Sequence, residues 1–340
     1  MITIVELAKL AGVSDATVSL VLAGKAQGRV GEARRQQILA LAAEHGYRAN
    51  PAARALAQGR SNRIGLCLAG TLTSHAIIGE FSLHERLGLF AEGIQQAGYA
   101  LEIIQADPDQ PPADLSRDLR RRAVDGLVFL DWPPKLLQKP LRALRQQGVP
   151  AVASGTAVAL PGSTWTNDDS RAVFEQVVRQ LQAEGRRRIA LVDTVITVME
   201  AEFRGYFEEA MSRWAQVPAA ECLIVQPQPC EYQSLYDATL ELLRSRPELQ
   251  ALFIPDNYLA QAVLNAAQAA GRQPGADLRV IGYGDTVFAD QCHPRLSHYS
   301  RRIEEQVRFG LEALLEQIEH PDTYEPRHAN LVPEYVPRQT

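Results

Sequence analysis

No run of eighteen apolar residues occurs anywhere in the chain, so no membrane-spanning helix is expected. Cysteine is scarce. Cys67, Cys222, Cys230 and Cys292 are the four present, none in a Cys-x-x-Cys pair. Two of them lie in apolar strand-like runs, which points to reduced core thiols rather than to a disulfide framework or a metal site. There is no P-loop and no nucleophile elbow, and Gly282-Tyr283-Gly284 lacks the third glycine of a dinucleotide loop. His75, His84 and His293 are scattered without metal-ligand spacing. The start carries Glu6 and Lys9 in an amphipathic pattern, not the basic-then-apolar layout of a secretory signal. These absences argue against an enzyme, a bound metal, a cofactor and secretion, and the expected location is cytoplasmic.

What is present is uneven. At 340 residues the chain exceeds what one core absorbs, so two or three domains are expected. The net charge of −5 hides a strong asymmetry: residues 1–65 hold nine Lys/Arg against four Asp/Glu, and the remainder holds 26 against 36. A basic head on an acidic body suits a head that docks on phosphate while the body stays off it.

The head has a helix-turn-helix pattern. Ile4, Leu7, Ala8 and Ala11 form one apolar face at helical spacing. After the turn Ala11-Gly12-Val13, Ser14 is a natural N-cap. Val18, Val21 and Leu22 form the apolar face of a second helix, whose opposite side carries Ala16, Ser19, Leu20 and Ala23, with Asp15 and Thr17 on the flanks. A third helix, roughly residues 32–45, buries Ile38, Leu41, Ala42 and His45. Three short helices on one core place the second helix in the DNA major groove, although an αα-hairpin in any helical domain shows the same periodicity. Between the second and third helices runs a loop, residues 24–29, in which Lys25 and Arg29 are either phosphate contacts or solvated charges. Downstream, Asn50 can cap and Pro51 can start a helix over 52–58 that is too short to be stable alone. A marginal helix carrying Arg54 and an exposed Leu56 fits a segment that folds on DNA, with Leu56 as an apolar wedge in the minor groove. The alternative is a linker with one stray leucine.

From Arg63 onward apolar runs alternate with helical ones. Strands are expected over 64–68, 100–104, 126–130, 151–154, 188–192, 222–225, 251–254 and 278–282, with helices such as 87–97, 171–184, 203–214 and 236–245 between them. This is an α/β pattern of parallel sheets covered by helices on both faces, split into two lobes near the Pro/Gly/Thr-rich stretch 155–163. Ligands of such sheets sit at strand carboxyl ends, here in a cleft between lobes.

The motifs Thr3-Ile4-Val5-Glu6-Leu7-Ala8, Gly12-Val13-Ser14-x-Ala16-Thr17-Val18-Ser19 and Gly46-Tyr47-Arg48-x-Asn50-Pro51-x-Ala53-Arg54-x-Leu56 resemble the lactose-repressor/galactose-repressor (LacI/GalR) family of bacterial transcription regulators, and the resemblance runs to the tail Leu331–Arg338. It implies a helix-turn-helix domain over 1–49, a hinge helix and linker over 50–62, and a two-lobed, periplasmic-binding-protein-like effector and dimerisation domain over 63–340. In that division lobe 1 takes about 63–158 and 290–320, and lobe 2 about 159–289 and 321–340. By the resemblance, Thr17, Ser19 and Arg35 contact phosphates, Asp15, Ala16 and Leu20 face base edges, and Leu56 intercalates. A homodimer then bends a palindromic double-stranded operator. No leucine heptad follows the tail, so a dimer without a tetramerising coil is expected. An Arg is common in the family where this chain has Leu20, so bidentate guanine reading is lost there, and Ala16 and Leu20 offer apolar contact to thymine methyls.

The expected effector-binding residues are His84, Arg86, Asp131, Trp132, Asp168, Asp169, Glu202, Arg204, Tyr232, Asp256 and Asp285. Asp168-Asp169 falls at the family's Asp-Asn pair, and Asp256-Asn257 at its Asn-Asp pair in reverse order. Glu202 precedes Gly205 by three, where sugar- and purine-sensing members carry an arginine, and Leu83-His84-Glu85-Arg86 replaces the common Asn-Pro-Phe-Phe run. A carboxylate in place of a guanidinium near Asp168 and Asp256 disfavours an anionic effector. The expectation is therefore a neutral sugar or polyol, or a cationic ligand, with Trp132 or Tyr232 stacked on its apolar face. The chain reads as a repressor switched by that small molecule. The alternatives are a solute-binding protein or an α/β enzyme without a DNA role, and the fused head counts against both.

Overall fold

The computed structural model describes residues 2–22, 26, 28–45, 47, 60–69, 81–106, 117, 121, 124–156, 161–193, 200–227, 230–255, 257–285 and 287–340. The hinge positions Asn50, Arg54 and Leu56, the loop residue Lys25, and Asp256 lie outside the described residues. The chain divides into two compact units, Met1–Asn62 and Arg63–Thr340.

The first unit contains helices α1 (Ile4–Ala11), α2 (Asp15–Leu22) and α3 (Glu32–Glu44). A capping box starts α1: the Thr3 hydroxyl accepts from the Glu6 amide, and the Glu6 carboxylate accepts from the Thr3 amide at 2.8 Å. Gly12 ends the helix in the left-handed region (φ 62°), where a side chain would be strained, and this sets the sharp turn into α2. Arg34 of α3 donates to the carbonyl of Ala11 at 3.0 Å, occupying one of the carbonyls that the end of α1 leaves open. Leu7, Ala8, Ala11, Val18, Val21, Ile38 and Ala42 form the small core. His45, expected inside, is instead exposed as the C-cap of α3, where its position past the last turn carries it off the apolar stripe.

The second unit holds two six-stranded sheets. In the first, β1 (Arg63–Ala69), β2 (Ala100–Ala106), β3 (Gly126–Leu130), β4 (Ala151–Ser154), β5 (Thr164–Asp168) and a late strand β11 (His328–Leu331) lie in the order β11-β5-β4-β3-β1-β2, all parallel. Its helices are α4 (Phe81–Gln96), α5 (Pro134–Gln146) and α11 (Ile303–Glu319). The second sheet runs β12-β10-β9-β8-β6-β7, from β6 (Ile189–Val192), β7 (Leu223–Val225), β8 (Ala251–Ile254), β9 (Arg279–Tyr283), β10 (Ser297–Ser300) and β12 (Glu334–Val336). It is parallel except for the β10–β12 pair. Its helices are α6 (Ser170–Ala183), α7 (Glu200–Ala210), α8 (Tyr232–Ser245), α9 (Ala260–Ala269) and the short α10 (Phe288–Gln291).

Period-two alternation splits each sheet into two apolar faces. In β1, Ile64, Leu66 and Leu68 face one core while Cys67 faces the other with Leu127 and Phe129 of β3. None of the four cysteines forms a disulfide, and Cys67 and Cys292 are buried.

The chain crosses between sheets three times, and the crossings fall elsewhere than the composition indicated. β5 belongs to the first sheet, so the first crossing follows Asp168 rather than the stretch 155–163. β10 still belongs to the second sheet, which moves the second crossing to residues 301–302, and the third lies between β11 and β12 at 332–333. These strands escaped notice because they are polar or alternating: β5 reads Thr-Trp-Thr-Asn-Asp, and β11 and β12 lie at sheet edges. Continuous apolar runs mark only strands covered on both faces.

Candidate functional site

In the first unit, α2 buries Val18 and Val21 and leaves Ser14, Asp15, Ala16 and Ser19 exposed, with Thr17 and Leu20 half-buried. Ser14 caps the helix, its Oγ accepting from the Thr17 amide at 3.2 Å and sharing a 2.9 Å hydrogen bond with the Thr17 hydroxyl. The Asp15 carboxylate accepts from the Ala16 amide at 2.9 Å, so at rest it is turned back on its own helix end. Arg29 is exposed. Arg35 forms a two-pronged pair with Glu32, at 2.9 and 2.8 Å, and these contacts hold the Glu32 carboxyl down at about 2. An exposed pair of this kind is weak, so a phosphate can share the Arg35 guanidinium with Glu32 at small cost.

In the second unit the strand carboxyl ends of the first sheet bring Arg86, Asp131 and Asp168 together. Arg86, on α4 after β1, is 1% exposed. Its Nη1 donates to both Asp131 oxygens (2.9 and 3.1 Å), while Nη2 donates to Gln306 Oε1 (3.3 Å) and lies 3.6 Å from Asp168 Oδ1. Two architectural details fix Asp131. Its backbone is in the left-handed region (φ 50°), and the neighbouring Gly155 (φ 80°) leaves the space its carboxylate fills: a Cβ there would stand 1.9 Å from Asp131 Oδ1. Burial pushes the Asp131 carboxyl above the usual range, with Arg86 and Arg301 pulling it back.

The network continues into the second sheet. The Tyr283 hydroxyl, at the end of β9, donates to Asp168, and Ser170 Oγ at the start of α6 lies within 3.3 Å of the Tyr283 hydroxyl. Arg301, at the second crossing, lays its guanidinium 4.3 Å from the centre of the Tyr283 ring. Gln306 of α11 donates to Asp168 (3.5 Å) and to the Arg301 carbonyl (2.7 Å). Glu85, beside Arg86, is half-buried, and burial together with the Asp285 and Glu304 carboxylates pushes its carboxyl up to about 7. Asp285, just past β9, has a buried Oδ2 with no hydrogen-bond partner. Carboxylates therefore outnumber guanidinium groups among the described side chains here, and the Nη atoms of Arg86 are already committed to protein partners, while its Nε is buried without one.

Comparison with known proteins fits both halves. Residues 3–50 match the family described as bacterial regulatory proteins, lacI family, and residues 178–340 match the periplasmic binding protein-like domain. The HTH-type transcriptional regulator DegA of Bacillus subtilis (strain 168) is 29% identical over 310 residues, covering 89% of this chain and 87% of that protein. The chain carries a lacI-family helix-turn-helix domain and a periplasmic-binding-protein-like domain, and its relatives are transcriptional regulators of the lacI family. It is a transcriptional regulator. Among solved structures, the lac repressor dimer bound to operator and the anti-inducer ONPF superposes with a TM-score of 0.79 at 20% identity, covering 100% of this chain and 98% of that one. A transcriptional regulator CelR-cellobiose complex gives 0.64 at 23% identity, covering 100% and 99%. These two likenesses are of fold.

Several side chains of the regulator named from sequence are not in the Arg86 network. Trp132 is 1% exposed, donates from Nε1 to the Cys67 carbonyl at 2.9 Å and packs edge-on against Phe129, so it is core and offers no face to a ligand. Tyr232 is exposed and its hydroxyl accepts from Asn265 at 2.5 Å. Asp169 caps α6, accepting from the Ala172 amide at 3.0 Å. Arg204 and Glu202 are exposed on α7, paired with Glu208 (2.9 Å) and with the Tyr206 hydroxyl (3.4 Å) respectively. His84 is half-buried on α4. Glu85, Ser170, Tyr283, Arg301, Glu304 and Gln306 went unmarked in the sequence. Glu85 lay inside the Leu83–Arg86 run and could have been read with it, and Tyr283 sat at a recognised strand end. Gln306 carries no signal, being one glutamine on an amphipathic helix. Among the described residues, no three His, Cys, Asp or Glu side chains are placed to hold a metal ion, and no helix is long and apolar enough to cross a membrane.

Proposed function

We propose that this regulator is a cytoplasmic, homodimeric repressor that binds a palindromic operator through α2 and is switched by a small neutral sugar or polyol at the strand carboxyl ends between its lobes. The observation that carries the reading is the Arg86–Asp131–Asp168–Tyr283 network. It joins strand ends of both sheets, so a ligand inserted beside it bears on both lobes at once. The order of β1–β5, 2-1-3-4-5, puts Arg86 at the switch point where open α/β sheets receive ligands. A related regulator, CelR, is solved with cellobiose, and the lac repressor with operator and a small anti-inducer.

The charge balance selects the effector class. With Arg86 paired to Asp131 and Asp168, the Asp285 and Glu304 carboxylates, beside a Glu85 that is raised to about 7, outweigh Arg301, so a sugar phosphate meets net like charge in a partly desolvated place. Sugar hydroxyls, by contrast, can donate to these carboxylates. Since Trp132 is buried in the core, recognition beside Arg86 rests on polar contacts rather than on its ring. Pairing of two copies is favoured by β2, an edge strand that exposes Leu101 and Ile103. Switching requires only that the ligand favour one lobe arrangement: a coupling of about 3 kcal/mol alters operator affinity about 150-fold. The reading contains no catalytic step.

Gel shift on the fragment upstream of the regulator's own gene tests this, in the presence of cellobiose, neutral monosaccharides, polyols or sugar phosphates. Specific binding that a neutral sugar shifts supports the reading. Specific binding that only a sugar phosphate shifts overturns the effector class, and no preference for any genomic fragment over random duplex overturns the repressor itself.

A further inference from the structure

Arg86 stands at the ligand-receiving end of the first sheet and is gripped there as a bound cation would be. Its guanidinium is buried, and the groups around it come from three other places in the fold. Asp131, just past β3, accepts from Nη1 with both carboxylate oxygens, at 2.9 and 3.1 Å. Asp168, at the end of β5, lies 3.6 Å from Nη2, and Gln306 of α11 accepts from the same nitrogen at 3.3 Å. A guanidinium is kept out of water only where opposite charge and hydrogen-bond acceptors replace its hydration. Here two carboxylates and an amide oxygen do so.

Only the outer part of the group is held in this way. Nε, through which the guanidinium joins its own side chain, is buried without a hydrogen-bond partner. The socket thus fits the charged fork and not the arm that delivers it. Gly155 forms one wall: a Cβ there would stand 3.0 Å from Arg86 Cζ and would overlap Asp131 Oδ1, so the missing side chain is what lets a planar group lie against the carboxylate. The Asp131 side chain is 24% exposed, so the socket reaches solvent along it. Asp168 is bound from the second sheet by the Tyr283 hydroxyl, so both lobes respond to whatever fills the socket.

Given the ligand site proposed at the strand ends, we infer that Arg86 is its specificity-determining residue: the side chain fills, from within the chain, a subsite built for a guanidinium or amidinium cation. The wild-type site therefore turns such cations away and admits a neutral ligand beside the filled subsite. Without Arg86, Asp131 and Asp168 face each other uncompensated, and a free cation of the same shape takes the vacated place. One side chain thus separates a regulator of neutral ligands from one that responds to guanidines or amidines.

Ethylguanidinium, the part of the side chain that Arg86→Ala removes, is the probe, titrated calorimetrically into the full-length regulator. Wild type is expected to show no detectable binding. Arg86→Ala is expected to bind saturably, at least about tenfold more tightly than wild type, and to melt at a higher temperature in the presence of the probe. Acetamide, flat and N–H-bearing but uncharged, is expected to give neither effect. Should Arg86→Ala not fold, Arg86→Ala/Asp168→Asn takes its place: it removes the more deeply buried carboxylate and keeps Asp131 to hold the probe. The proposal is overturned if wild type binds ethylguanidinium as tightly as the folded variant, if that variant does not bind it, or if acetamide acts equally. The titration involves neither sugar nor operator, so a failure here is separable from a negative gel shift.

Discussion

The Tyr283 hydroxyl, at the end of a strand in the second sheet, donates to the Asp168 carboxylate at the end of a strand in the first. Asp168 is 2% exposed, and its remaining contacts, to Arg86, Ser170 and Gln306, are all longer than 3.4 Å, so this bond is its main satisfied contact. Tyr283→Phe keeps the ring under Arg301 and removes only the donor. The expected loss is about 1–2 kcal/mol, read as a lower denaturant midpoint, with faster amide exchange at 164–170 and 300–303. A midpoint and exchange pattern equal to wild type would show that the lobes do not depend on this contact.

Glu85 makes stability pH-dependent in a defined direction. Its carboxyl is raised from an ordinary 4.5 to about 7 in the folded protein. The folded state therefore holds the proton more tightly than the unfolded chain, and the associated stability is full below about 4.5 and lost as pH rises through about 7. Glu85→Gln, which stays neutral, is expected to match wild type near the acid end. At pH 8 it should be more stable by about 1 kcal/mol, after allowance for the partial exposure of the group. Parallel melting curves across pH check this, and curves for the two proteins that stay superimposed would refute it.

Gly155 is irreplaceable for two reasons that add. Its φ of 80° is unfavourable for any residue with a side chain, and a Cβ would collide with the Asp131 carboxylate that Arg86 holds. Gly155→Ala is expected to cost at least about 2 kcal/mol and to weaken effector binding by displacing Asp131, measured by chemical unfolding and calorimetry. Wild-type behaviour in both would mean that the strand end relaxes without loss.

On the head, Leu20→Arg introduces a side chain able to grip guanine at two points. Selection of bound sequences from random duplex is expected to show a guanine gained at one position of each half-site, worth about 1–3 kcal/mol of discrimination. An unchanged consensus would place residue 20 away from the bases.

Much of the second unit was legible in its sequence because parallel strands buried on both faces are continuous apolar runs, as in Gly126–Leu130 and Ala251–Ile254, where every residue is buried. The same rule hid Thr164–Asp168 and Ser297–Ser300, polar strands whose omission displaced the crossings. At the strand carboxyl ends, carboxylates were recognisable, and Asp131 and Asp168 meet there. Trp132 was misplaced because position along the chain puts it at a strand end, while the direction of its side chain is decided by the carbonyl of Cys67, 65 residues away.

Local chemistry written into the chain was sufficient for the helix-turn-helix: a cap at Ser14, a glycine at the αL turn and apolar spacing of three and four each act within one helical turn of their residue. Which charges cancel was beyond it. Arg86 lies 45 positions before Asp131 and farther still from Asp168, and only the meeting of strand ends brings those carboxylates to 2.9 and 3.6 Å from its guanidinium, turning a free charge into an internal tie. Electrostatic balance depends on distances in space and on exclusion of water, neither of which a linear order of residues contains.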